Sequence, residues 1–284
     1  QGLGTFKEDT LNAAALGEFI REKRKLIRDD QRRRTGHADP VRFDIVGHSM
    51  GGVLARYYLM HGSRRSSGDH VSWAGASDIR RLVQVGSPNA GSMQAFLQAD
   101  HGMDLVPFTP RFQPAVIGTF PSVYELLPRN ADQPLLDHRG QALDILDPDT
   151  WERHRWGLLT PSHDERFAEL LPGTTADERR RIASEHLSKC LANARDFHRA
   201  LDCRCTLPGG IELHAFYGNS RPTLHRLRLP DDAPPETAAT LPGDGTVTAR
   251  SALARNPDGS PGPIPWTRTH PYHASHMMRP RQGL

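Results

Sequence analysis

A serine, an aspartate and a histidine are the side chains of this sequence that could together make and break an acyl bond. Ser49 lies in Gly47-His48-Ser49-Met50-Gly51, and Asp244 lies between Gly243 and Gly245. The histidine comes from His270-Pro271-Tyr272-His273-Ala274-Ser275-His276 near the C-terminus. A serine hydroxyl is a poor nucleophile at neutral pH. It needs an imidazole to take its proton, and the imidazole needs a carboxylate to fix its tautomer and stabilise the imidazolium. His276, His273 and His270 are the candidates for that base. Their His-x-x-His-x-x-His spacing could also seat a metal, but no cysteine or carboxylate cluster stands near them, and no metal is expected.

The elements that must position Ser49 are legible on both sides of it. Val41, Phe43, Ile45 and Val46 read as a short apolar strand, with Pro40 blocking a helix before them. Val53, Leu54, Tyr57, Tyr58 and Met60 fall at helical spacing after the glycines. Between strand and helix, Ser49 is expected on a tight elbow at the carboxyl edge of a parallel sheet. Gly47 and Gly51 are expected there because side chains would collide across the turn. The backbone N–H of Met50, at the helix N-terminus, then faces the place where an oxyanion would form. His48 points away from the elbow and is read as a packed or satisfied histidine. Ser87, before Pro88, is read as a turn residue.

The chain has 284 residues and a formal net charge of +3, with a pI near 8.9. That excess is too small to argue for nucleic acid, and no basic run is interleaved with aromatics. Arg21-Glu22-Lys23-Arg24-Lys25 and Arg32-Arg33-Arg34 read as the solvated face and the C-terminal end of one helix. The three cysteines, Cys190, Cys203 and Cys205, make no disulfide framework, though one bridge from Cys190 to either of the others is possible. No stretch is apolar enough to span a membrane. No cofactor motif is read.

In chain order, Gln1 to Phe6 reads as the tail of a strand or loop. A helix is expected from Leu11 to about Ile27, capped by Asp9 or Thr10, then a polar loop over Asp29 to Asp39. After the elbow helix come a Gly- and Ser-rich loop and a second strand, Ile79 to Val85. Met93 to about Leu207 gives no further parallel-strand signal. Apolar patches there include Leu105-Val106-Pro107-Phe108 and the Trp151–Trp156 pair. Thr175-Ala176-Asp177-Glu178 is a capping box opening a long helix with Leu187, Leu191, Ala194, Phe197 and Leu201 on one stripe. A strand is expected at Ile211 to Tyr217, a Pro- and Asp-rich loop at Leu229 to Leu241, and a last strand within Pro261 to Tyr272. The expected organisation is therefore a first core part over residues 1–92, a helical cap inserted over residues 93–207, and a second core part over residues 208–284.

Ser, Asp and His in that chain order are arranged as in the α/β-hydrolases. Gly47 to Leu59 resembles the nucleophile elbow of the lecithin:cholesterol acyltransferase-like branch of that superfamily. Gly86-Ser87-Pro88-Asn89-Ala90-Gly91-Ser92, Pro121 to Pro128 and Gly243 to Val247 are similar to further motifs of the same branch. The resemblance implies a three-layer α/β sandwich with a mostly parallel sheet and a helical cap. It implies a triad of Ser49, Asp244 and a C-terminal histidine, acting on acyl esters, often lipids, with transient contact at a membrane surface. In that branch the base precedes apolar residues that open a helix, a pattern His276 fits through Met277 and Met278. Hydrolase and acyltransferase stay open, since water exclusion under the cap decides between them. The branch also has strands and a His-Gly oxyanion loop before the nucleophile. Here both His-Gly pairs, His61-Gly62 and His101-Gly102, follow Ser49. The chain is thus expected to lack the N-terminal strands of the sheet. A catalytically impaired fragment or binding module is the alternative, unless Gly2-Leu3-Gly4 supplies the second donor.

Overall fold

The computed structural model describes residues 9–64, 70–103, 112–231 and 234–276. Gln1 to Phe6, with Gly2-Leu3-Gly4, and the patch Leu105 to Phe108 lie outside them, as do Asp232, Met277 and Met278.

The chain opens with helix α1 (Asp9–Thr35), strand β1 (Phe43–His48) and helix α2 (Met50–His61). Strand β2 (Ile79–Val85) follows, and then helices α3 (Met93–His101), α4 (Pro114–Ile117) and α5 (Pro121–Glu125). Two short strands, β3 (Leu135–Leu136) and β4 (Ala142–Leu143), precede helices α6 (Pro148–His154), α7 (Asp164–Leu170) and α8 (Ala176–Asp202). Strands β5 (Glu212–Gly218), β6 (Arg221–Arg228) and β7 (Glu236–Gly243), helix α9 (Ala249–Ala252) and strand β8 (Arg268–Tyr272) complete it.

The main sheet is parallel throughout, in the order β1-β2-β5-β8. Period-two alternation aims Leu82 and Leu213 at one face, where they cluster with Ile20 of α1, Val53, Tyr57 and Leu59 of α2 and Phe197 of α8. The opposite face carries Val46, which is 71% exposed, and Phe216, which is 38% exposed. A second hydrophobic cluster unites Phe96, Tyr124, Trp151, Trp156, Leu187 and Leu191 from the segment between Met93 and Leu207. Trp151 and Trp156 meet edge to face at 5.8 Å. The capping box forms as expected, with Thr175 and Glu178 each satisfying the other's backbone.

Several expectations from the sequence change. Helix α1 runs on through Thr35, over residues read as a polar loop. Ion pairs from Asp29 to Arg32 and from Asp30 to Arg33 and Arg34 bridge its last turns, and the three arginines face the negative end of the helix dipole. A second sheet, ordered β4-β3-β6-β7, was not anticipated. Its β3, inside the region that gave no parallel-strand signal, pairs parallel to β6, and β7 begins at Glu236 within the stretch read as a loop. Strand β7 hides from pattern reading because it is an exposed edge built of Thr and Ala. Cys190, Cys203 and Cys205 are free thiols.

Candidate active site

Strand β1 ends at His48, and Ser49 takes φ 52° and ψ −129° before α2 begins at Met50. A left-handed φ in a residue with a side chain costs about 1–3 kcal/mol and must be held by its surroundings. Two backbone bonds hold it. Ser49 N–H donates to Val85 O at 2.9 Å, and Gly52 N–H donates to Ser49 O at 3.1 Å. The glycines that the elbow requires differ from expectation. A Cβ on Gly47 would stand 2.6 Å from Gly52 Cα, and one on Gly52 would stand 2.0 Å from Ser87 Oγ. A Cβ on Gly51 would meet nothing within 4 Å. The close approach is therefore between Gly47, Gly52 and Ser87, and Ser87 is packed against the elbow.

Asp244 follows β7 directly. Gly245, at φ +93°, turns the chain so that Asp244 N–H reaches Val247 O at 3.2 Å. Its side chain is seated against the end of β5, where a Cβ on Gly218 would lie 2.5 Å from Asp244 Cβ. Oδ1 accepts the amides of Thr246 and Val247 at 2.9 and 2.8 Å. Burial pushes this carboxyl up, but the His276 hydrogen bond and the Val247 and Thr246 amides more than reverse it and leave it below the ordinary value.

His276 lies just beyond β8. Its main-chain N–H donates to Asp244 O at 3.1 Å. Its Nδ1 donates to Asp244 Oδ2 at 2.9 Å, and its Nε2 stands 2.9 Å from Ser49 Oγ. So Ser49, His276 and Asp244, from three distant parts of the sequence, form one chain of hydrogen bonds. The other two histidines do not join it. His270 stacks on Phe216 with centroids 4.6 Å apart, and His273 is exposed. Among the described residues, no group of three or more His, Cys, Asp or Glu side chains could hold a metal ion.

Sequence reading missed a partner of this chain. His48 is not packed away: its Nε2 donates to His276 O at 3.2 Å, and the two rings lie 5.0 Å apart. A histidine next to Ser49 in sequence was the only available signal, and the 228-residue separation of the contact hid its meaning.

The loops around the site are tied to one another. Ser92 Oγ caps α3 by accepting Gln94 N–H and donates to Thr246 O beside Asp244. Ala90 N–H and Ser251 O bond at 3.2 Å, Asn89 Nδ2 donates to Ala252 O at 2.8 Å, and Ser92 N–H donates to Leu126 O at 2.9 Å. The segments Gly86–Ser92, Pro121–Pro128 and Gly243–Val247, far apart in sequence, thus meet at the carboxyl edge of the main sheet, where ligand loops belong. Met50 N–H stands there as the first amide of α2, where a helix leaves its amides without intrahelical partners.

Residues 33–149 match the lecithin:cholesterol acyltransferase family. No curated protein matches the chain. Among solved structures, a chain described as "The crystal structure of Tle4-Tli4 complex" has the same fold, at TM-score 0.57 and 16% identity. The match covers 94% of this chain and 60% of that one, so this sequence spans less than two thirds of that neighbour's length. The chain thus has a fold of the α/β-hydrolase type and is similar to the lecithin:cholesterol acyltransferase family over residues 33–149.

Proposed function

We propose that this chain is a serine acyl-ester hydrolase or acyltransferase acting on lipid carboxylic esters through an acyl-enzyme on Ser49. One observation carries the reading: Ser49 Oγ, His276 and Asp244 are linked by two 2.9 Å hydrogen bonds on a strand–elbow–helix at the sheet edge. His276 Nε2 takes the proton of Ser49 as Oγ attacks the ester carbonyl carbon. Asp244 holds the imidazole with its proton on Nδ1 and stabilises the imidazolium. The carbonyl oxygen gains charge facing Met50 N–H. Collapse of the tetrahedral species breaks the ester C–O bond, and the leaving alcohol takes the proton back from His276. Water or a second alcohol, deprotonated by the same imidazole, then removes the acyl group from Ser49.

Residues 93–207 act in this reading as a helical cap, between core parts formed by residues 1–92 and 208–284. Most of one apolar cluster comes from these residues, and Leu227 and Leu229 of the C-terminal part join it. No helix among the described residues is long and apolar enough to cross a membrane. Transient contact with a lipid surface is the mode of substrate access that the reading requires. No cofactor takes part.

The test is release of p-nitrophenol from esters of increasing acyl length, with and without added alcohol. Turnover that disappears in Ser49→Ala is expected, and a rise in alkyl ester product with alcohol identifies transfer. Equal rates in the two proteins would remove the reading.

A further inference from the structure

Tyr272 is the last residue of β8, in register with Gly218 of β5, the same glycine against which Asp244 is seated. Its hydroxyl lies 3.4 Å from Asp244 Oδ2, the oxygen that also accepts His276 Nδ1. The convergence is marked by Gly86, at φ +57°. A Cβ there would stand 3.1 Å from His276 Nδ1, 3.2 Å from Asp244 Oδ2 and 3.2 Å from Tyr272 Oη. Those three polar atoms crowd one point, and the glycine leaves it free.

We propose that Tyr272 is a positioning residue of this site: its hydroxyl shares Asp244 Oδ2 with His276 and so sets how strongly the carboxylate draws on the imidazole. The inference rests on the role proposed above for His276 as the base. A carboxylate offers about four acceptor sites. In Asp244, which is 2% exposed, the amides of Thr246 and Val247 fill two on Oδ1, and His276 and Tyr272 fill two on Oδ2. No site is left for water, and none is orphaned. The 3.4 Å contact is long for O–H···O, as bonds of unliganded catalytic sites often are before they tighten with substrate. Burial, and then the charge of Asp244, push the Tyr272 phenol up to about 12, so it stays a donor across the working range.

The direction of the effect follows. Without the hydroxyl, the charge on Oδ2 is met by His276 alone. The imidazolium is then better stabilised, His276 holds its proton to higher pH, and the neutral base appears later. The titratable groups in contact with His276 among the described residues are His48 from β1, Asp244 after β7 and, through Oδ2, Tyr272 from β8.

The test is a titration of the His276 ring by NMR in isotope-labelled wild type and Tyr272→Phe, beside the pH profile of kcat/KM. The variant should raise the His276 midpoint. The acid limb of kcat/KM should move up equally, with KM changed less than about two-fold. In an Asp244→Asn background the same substitution should produce no shift. An unmoved His276 midpoint in a folded Tyr272→Phe protein overturns the proposal, whatever the activity does. A moved midpoint in a protein with no Ser49-dependent turnover keeps this inference and removes the catalytic reading instead. If Tyr272→Phe does not fold, the Cζ resonance of Tyr272 reads the same contact. Its midpoint should fall toward the ordinary tyrosine value near 10 in Asp244→Asn, and an unchanged midpoint overturns the proposal.

Discussion

His48 donates its Nε2–H to the main-chain carbonyl of His276, so the residue before the proposed nucleophile holds the backbone of the proposed base. The loop after β8 is thereby fastened at three points. The others are the His276 N–H on Asp244 O and the His276 ring on Asp244 Oδ2. Losing the His48 bond leaves the imidazole less confined, and small misplacements of a base are costly. His48→Ala is expected to lower kcat roughly ten-fold, by way of that misplacement, with the fold intact. His48→Gln, which keeps a donor, should recover most of it. Steady-state kinetics of the two variants check this, and equal losses in both would point away from the hydrogen bond.

The elbow glycines make a paired prediction for stability. Gly51→Ala enters open space on a helix and should stabilise by about 0.5–1 kcal/mol. Gly52→Ala drives a methyl into Ser87 Oγ and toward Gly47 O, and should cost about 1–3 kcal/mol. Adding Ser87→Gly to Gly52→Ala should return part of that loss. Urea midpoints of the three proteins give the comparison.

How much of this site could be read from sequence depends on the kind of signal each residue leaves. Ser49 was legible because its apolar strand, its glycines and its helical stripe are all local. Asp244 was legible because two glycines frame it, but the strand that delivers it was not. Strand β7 gains its order from antiparallel pairing with β6, and its Thr-Ala-Ala-Thr run has no apolar alternation. His48 left only its place beside Ser49 and Tyr272 left no local trace, since each matters through a contact made when the sheet assembles. Likewise α1 outran its apolar stripe because ion pairs, not burial, carry its last turns. The position of Gly52 against Ser87 is a tertiary fact that spacing within the G-x-S-x-G motif does not contain.

Stability should also depend on acid pH through Asp78. This buried carboxylate accepts hydrogen bonds from Arg24, Tyr58 and Ser77, joining α1, α2 and the start of β2. Burial pushes it up, but the Arg24 and Tyr58 bonds more than reverse that and hold it below the ordinary 3.8. A carboxyl depressed in the folded state adds stability that is complete above its unfolded value and is lost as pH falls through the folded one. The urea midpoint should therefore fall below about pH 4, and this slope should be shallower in Asp78→Asn. An identical slope in both proteins would assign acid sensitivity to other groups.

Asp244→Asn bears on the tautomer of the base. The amide keeps the acceptor for Thr246 and Val247 but can present N–H, not a second oxygen, to His276 Nδ1. Turnover should drop by about 10³–10⁴-fold with the fold intact, as the wrong tautomer predicts. Near-normal turnover would point to a different carboxylate as partner of the proposed base, such as Asp231 or Asp232.

Covalent capture of Ser49 tests the central claim most directly. A fluorophosphonate phosphonylates, with loss of fluoride, a serine whose hydroxyl is activated by a neighbouring base, so labelling reads the nucleophile without needing the natural substrate. Mass spectrometry of the labelled chain should place one adduct on the peptide containing Ser49, with none in Ser49→Ala and a rate at least about 100-fold lower when His276 is replaced by Ala. Equal labelling of wild type and Ser49→Ala, or an adduct on another residue, would contradict the account.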